Sequence, residues 1–146
     1  MTESRPARRA SDAPAGTPVR AVQHVSLPIP PGGIDAVVEF YEGLLGLRLK
    51  EPVPNDAPFP LYWMDVGATE LHFFVEAGDA TRRTNRHVCL LVDDVEALRR
   101  HLEAHGIETE DQDFDIPSRP RFFARDPHGN RLEFLSLREP EAPGPG

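Results

Sequence analysis

The chain has 146 residues, 39% of them hydrophobic and 27% charged, ordinary values for one globular domain large enough to bury a core without disulfides or a structural metal. A formal net charge of −8, with arginines and lysines scattered among acids, argues against a nucleic-acid binder; the single cysteine excludes an internal disulfide framework. No segment approaches the roughly 18 to 20 consecutive apolar residues of a membrane span, so small molecules are the expected partners.

Residues 1–19 are rich in Pro, Ala, Ser, Arg and Gly without apolar periodicity, and are expected to be a disordered tail. Arg5, Arg8, Arg9 and Arg20 lie in or beside this stretch without the apolar run of a secretory signal, so a cytoplasmic address is expected. Val22 to Ile29 reads as a strand, closed by prolines and two glycines. From Ile34 the apolar positions Ile34, Val37, Val38, Tyr41, Leu44 and Leu45 fall at helical spacing, and Gly46 suits a left-handed helix stop. Leu47 to Pro52, Leu61 to Val66 and Glu70 to Val75 follow as strands, with a Pro/Asn/Asp-rich loop at 52–60 and a turn near Gly67.

The same order then returns. His87 to Val92 reads as a strand, followed by a helix capped by Asp93 or Asp94 with Val95, Leu98 and Leu102 on one face and Gly106 as its stop. Ile107 to about Phe114, Arg121 to Arg125 and Arg131 to Leu137 complete three strands, the last two joined by the turn Asp126-Pro127-His128-Gly129-Asn130. Residues 139–146 are again expected to be disordered. The expected fold is α+β: one domain over 20–138, built of two tandem βαβββ modules at about 20–80 and 84–138. Helices lie outside a curved mixed sheet that surrounds a metal-binding cavity.

The two modules carry chemistry at matching places. His24 opens the first and His87 the second, while His72 and Glu133 stand in their last strands, each about sixty residues from its counterpart. The chain has only 6 histidines, so three of them falling with one glutamate at repeat-equivalent positions is not a matter of composition. Strand alternation groups His24 with Val22 and Ser26, His72 with Glu70 and Phe74, His87 with Cys89 and Leu91, and Glu133 with Arg131 and Leu135. If those faces line one concavity, three imidazoles and a carboxylate converge on a divalent metal such as Zn, Ni, Fe, Mn or Co. Four such ligands on a six-coordinate ion leave two positions open for substrate. A glutamate between Leu132 and Phe134 would be costly to bury unpaired, which favours a cation beside it. Cys89 is expected to pack as a small buried hydrophobe.

Gln23-His24-Val25-Ser26, Phe40-Tyr41-Glu42-Gly43-Leu44-Leu45-Gly46-Leu47, and the ending from Phe123 to Phe134 resemble the vicinal oxygen chelate superfamily over about residues 21 to 138. That superfamily holds glyoxalase I, extradiol dioxygenases, fosfomycin-resistance thiol transferases, methylmalonyl-CoA epimerase and bleomycin-resistance proteins. The resemblance implies metal ligands at His24, His72, His87 and Glu133, and a homodimer whose sites are built across two chains. In glyoxalase-like and epimerase members the metal holds two substrate oxygens while a carboxylate moves the proton, a role that carries onto Glu133. His72 departs from the usual Glu or Gln, and Glu70, two residues earlier on the same face, is the substitute candidate base.

The extradiol pattern asks for two histidines and one carboxylate on Fe(II), supplied by His24, His87 and Glu133, with His72 a further ligand or an acid/base beside them. Arg121-Phe122-Phe123, however, stands where those enzymes carry tyrosine and histidine. Arg119, Arg121 and Arg125 could hold a phosphonate, as in the thiol transferases. A third reading is an acidic dimer that traps a cationic drug without metal, which the net charge suits and the quartet does not. Trp63, Phe74, Arg121 and Phe123 are candidate substrate contacts in any of these. A metal-dependent glyoxalase-like lyase or isomerase is the favoured expectation, ahead of a dioxygenase and a drug-binding protein.

Overall fold

The structure, a computed structural model, describes residues 21–78 and 84–137. The two expected tails, 1–19 and 139–146, lie outside the described residues. The first module runs β1 His24–Ile29, helix α1 Ile34–Val37 continuing directly into a π-helical stretch Val38–Leu44, β2 Leu49–Lys50, β3 Tyr62–Val66 and β4 Thr69–Val75. The second runs β5 His87–Leu91, α2 Val95–Ala104, β6 Thr109–Glu110, β7 Arg121–Arg125 and β8 Arg131–Leu135. The expected α+β architecture of two tandem modules is therefore present. Each module makes its own four-stranded mixed sheet, ordered β1-β4-β3-β2 and β5-β8-β7-β6. The first strand of each module pairs parallel with the last, and the other pairings are antiparallel.

Alternation decides which face is buried. Leu27 and Ile29, Leu71 and Phe73, Met64, Phe122 and Ala124, and Leu132 and Phe134 turn to one side and join Val37, Phe40, Tyr41, Val95 and Leu102 in one core. Removing this much apolar surface from water is what holds the modules together, at about 25 cal/mol per Å². The opposite faces keep the histidines, Glu70, Glu133 and the arginines. The core cannot hold such groups unpaired, so apolar packing on one side fixes a polar constellation on the other.

The first helix departs from its expected stripe. Phe40, outside the 3.6-residue pattern, is buried beside Tyr41 because the wider π-helical turn brings both rings inward. Gly46 and Gly106 close the two helices at φ 74 and 80, and Asp94 caps α2 by accepting from the Ala97 N–H at 2.9 Å. Six of the eight strands are shorter than expected, β2 and β6 most of all. Only Leu49–Lys50 and Thr109–Glu110 pair at the sheet edges, where the chain turns away at Pro52 and into the loop after Glu110. β8 stops at Leu135 because buried Ser136 leaves the ladder: its Oγ donates to the Val92 carbonyl and accepts from the Val95 N–H, tying β8 to the start of α2.

A second set of bonds locks the modules to each other. Buried Asp126 accepts from the Tyr41 hydroxyl at 2.8 Å and from the His128 and Asn130 N–H groups at 2.9 Å each. Asn130 Nδ2 reaches the Pro28 carbonyl at 3.1 Å, and His128 Nε2 the Gly33 carbonyl at 2.7 Å. The Asp-Pro-His-Gly-Asn turn read from sequence is thus also an inter-module staple. Among the described residues no helix is long and apolar enough to cross a membrane.

Candidate functional site

On the first sheet His72 sits between two rings. Trp63 lies opposite it on β3 and stacks at 4.4 Å with planes 5° apart; His24 of β1 stacks on it at 4.1 Å and 12°. His72 Nε2 meets Glu70 Oε2 at 2.7 Å, and the other Glu70 oxygen accepts from Lys50 Nζ at 2.7 Å, which also reaches Asp65 at 2.6 Å. These hydrogen bonds, Lys50's first and His72's next, hold the Glu70 carboxyl down to about 2. So held, Glu70 stays a carboxylate and orients His72. His24 Nδ1 lies 2.6 Å from Gln23 Oε1, and its Nε2 has no hydrogen-bond partner among the described residues.

On the second sheet His87 and Glu133 meet, Nε2 to Oε2, at 2.9 Å. The other ring nitrogen of His87 lies 3.0 Å from the Asn85 carbonyl. The other oxygen of Glu133 faces Arg121 Nε at 3.5 Å, and the Arg121 guanidinium also donates to the Phe114 and Arg119 carbonyls. Phe123, cross-strand from Glu133, is buried yet stands outside the main core; it meets the His87 ring edge-on at 5.3 Å and carries Arg131 on its face at 3.8 Å. These groups border a cavity of about 680 Å³ that includes His87, Arg121, Phe123, Arg131 and Glu133. Cys89, expected to be buried, is instead exposed, because it lies on edge strand β5 and faces the polar side. Partial desolvation, then Glu133 beside it, pushes its thiol up to about 11, so it stays protonated at neutral pH.

The structure brings His24 to His72, and His87 to Glu133, as two pairs on two sheets. Among the described residues no group of three or more His, Cys, Asp or Glu side chains is arranged to hold a metal ion. The two pairs differ in their fit to one. Imidazole lone pairs lie in the ring plane, so the face-to-face stack of His24 on His72 does not aim both nitrogens at one point. His87 and Glu133 do fit: ligands about 2.1 Å from an ion and at right angles stand about 3 Å apart. Of the candidate substrate contacts, Arg121 and Phe123 line the second module's cavity, Trp63 belongs to the first module's stack, and Phe74 is 40% exposed. The sequence reading did not single out Lys50, which fixes Glu70, nor Asn85, which orients His87. Neither leaves a sequence signal, since one is an edge-strand lysine and the other acts through its backbone carbonyl.

The Glyoxalase/Bleomycin resistance protein/Dioxygenase superfamily model matches residues 21–134. Among solved structures, a protein assigned to the glyoxalase family from Bacillus anthracis is 25% identical with a TM-score of 0.70, covering 84% of this chain and 98% of its own. TnmS3, an antibiotic binding protein from Streptomyces sp. CB03234, is 20% identical with a TM-score of 0.66 over 83% of this chain and 98% of its own. Lactoylglutathione lyase from Agrobacterium tumefaciens is 23% identical with a TM-score of 0.60 over 82% and 96%. The last two likenesses are of fold. No match was found among curated proteins. With the family model covering most of its length and both modules in place, the chain belongs to the Glyoxalase/Bleomycin resistance protein/Dioxygenase superfamily, the vicinal oxygen chelate proteins.

Proposed function

We propose that this protein is a metal-dependent enzyme acting on a small molecule with two oxygens able to chelate an ion, a glyoxalase-like lyase or isomerase. The observation that carries the reading is the contact between His87 and Glu133. His87 places Nδ1 3.0 Å from the Asn85 carbonyl and Nε2 2.9 Å from a carboxylate oxygen of Glu133. Two electron-rich atoms at that distance require a proton or a cation between them, and a histidine whose far nitrogen is held by a carbonyl is the usual form of a metal ligand. His24, with Nδ1 at Gln23 and Nε2 without a hydrogen-bond partner among the described residues, is the third ligand in this reading. It comes to the pair from the first module of the same chain or of a second copy, the homodimer the family resemblance implies.

A bound divalent ion (Zn, Ni, Fe or Mn) supplies Lewis-acid polarisation of the substrate's oxygens. Glu133 then takes or returns the substrate proton through Oε1, the oxygen His87 does not face. Arg121 beside that oxygen steadies its charge, and Phe123 under His87 keeps water from that side. Glu70 fixes His72 against the stack. One observation favours a second reading: with His72 engaged by Glu70, the remaining candidates are two histidines and one carboxylate, the set of non-haem Fe(II) dioxygenases.

Elemental analysis of the purified protein beside His87→Ala and Glu133→Gln tests both. Zinc or nickel lost in the variants supports the lyase or isomerase, iron supports the oxygenase, and metal-free protein after exposure to each ion would leave a drug-binding role.

A further inference from the structure

Arg131 differs from Arg99, Arg121 and Arg125 in its hydrogen bonds. Arg121 donates to two carbonyls, Arg125 to the carbonyls of Thr84 and Gly129, and Arg99 to Glu103, Thr109 and Asp111. The Arg131 side chain, only 14% exposed, donates no hydrogen bond to any described residue. Its Nε, like that of Arg125, is buried without a hydrogen-bond partner among the described residues, and its nearest carboxylate there, Glu110, is 4.0 Å away and half exposed. The guanidinium carbon instead lies over the Phe123 ring, 3.8 Å from its centroid. A guanidinium cannot shed its charge, so a buried Nε–H left without an acceptor is costly. Position explains the cost. Arg131 pairs across the sheet with His87 and shares a strand face with Glu133, so its fork stands beside the proposed reacting pair at the wall of the 680 Å³ cavity.

We infer that Arg131 is the anchor for a carboxylate on the substrate, so that the substrate class is a small carboxylic acid with a second oxygen next to the carboxylate, such as a 2-hydroxy or 2-oxo acid. This deepens the proposed function and rests on its placing the reacting centre at His87 and Glu133. The planar fork, held over the Phe123 ring, matches a planar carboxylate in a two-point contact. A dianionic phosphate suits the place less, because Glu110 and Glu133 flank it and Arg121 already spends its donors on carbonyls and Glu133. The second oxygen of such an acid would then face His87 and Glu133.

The test uses the full-length protein with matched probes: lactate and mandelate, each beside its amide, and inorganic phosphate. Calorimetric affinities are measured on metal-loaded and on chelator-treated protein, and the Arg131 Nε–H resonance is followed by NMR. The acids are expected to bind about tenfold or more tighter than the amides, the scale of one charge-assisted contact, with a shift of the Arg131 Nε–H signal. Arg131→Gln should reduce that ratio to near one, and Arg131→Lys should restore part of it. Equal binding of acid and amide by wild type, no binding of either acid, tighter binding of phosphate than of both acids, or an unchanged ratio in Arg131→Gln would each overturn the inference. The arms separate the two claims. An acid preference in protein that takes up no metal leaves Arg131's role standing and removes the metal reading, while metal uptake without acid preference does the reverse.

Discussion

Tyr41 and Asp126, 85 positions apart, are joined by a buried hydrogen bond of 2.8 Å that ties the first helix to the last turn of the second module. Burial and the adjoining carboxylate push the Tyr41 phenol well above its ordinary value of 10.0. A raised folded pKa means the stabilisation is complete below about pH 10 and fades as pH rises past it, where the unfolded phenol ionises and the folded one does not. Tyr41→Phe is expected to cost about 1.5–3 kcal/mol at pH 7, the range for a hydrogen bond to a charged group. Urea unfolding of both proteins at neutral and alkaline pH checks this: the gap between them should narrow above about pH 10.

Gly33 is required by space rather than by backbone freedom. A Cβ there would meet His128 Nε2 at 2.8 Å and the Pro30 carbonyl at 2.9 Å. Gly33→Ala should therefore displace His128 and destabilise the fold by about 1–3 kcal/mol, the usual cost of overpacking. In Gly33→Ala with His128→Ala the penalty of the alanine should be smaller than in the wild-type background but not zero, because the Pro30 oxygen remains. Thermal or denaturant unfolding of the four proteins measures it.

Lys50→Met should release Glu70. Its carboxyl, held at about 2 with Lys50 as the largest cause, is expected to rise toward its ordinary 4.5 while staying lowered by His72. Because the folded value is depressed, Glu70 contributes stability that is present above about pH 4.5 and is lost as pH falls toward 2. The variant should therefore show a flatter loss of stability with acid than wild type. Carbon-detected NMR titration of the Glu70 carboxyl gives the shift directly.

Much of this was legible in the sequence because strand alternation is a strong signal. The β7 bounds Arg121–Arg125 were read without error, and the polar partners of His24, His72, His87 and Glu133 fell on the faces assigned to them. The helix stops at Gly46 and Gly106 follow from local chemistry and were equally readable, and the cap, read as Asp93 or Asp94, stands at Asp94. Phe40 was not, since a π-helical turn departs from the period on which the stripe was read. Nor was the state of His72: its position was clear, but stacking between Trp63 and His24 depends on cross-strand register and rotamer, which spacing alone does not contain. Arg131 was placed on the Glu133 face, yet only the structure shows that its buried Nε lacks a partner among the described residues.

The central claim is that His87 and Glu133 hold a divalent ion. Glu133→Gln keeps shape and removes charge, so it should lose metal and activity with little change in unfolding midpoint, whereas a structural role alone would leave metal content untouched. The most direct measurement is the metal content of purified wild type, His24→Ala, His87→Ala and Glu133→Gln by elemental analysis. The account predicts about one transition-metal ion per chain in wild type and its loss in the His87 and Glu133 variants. Wild type that holds no metal after soaking in zinc, nickel, iron and manganese, or a Glu133→Gln variant that keeps a full complement, would contradict it.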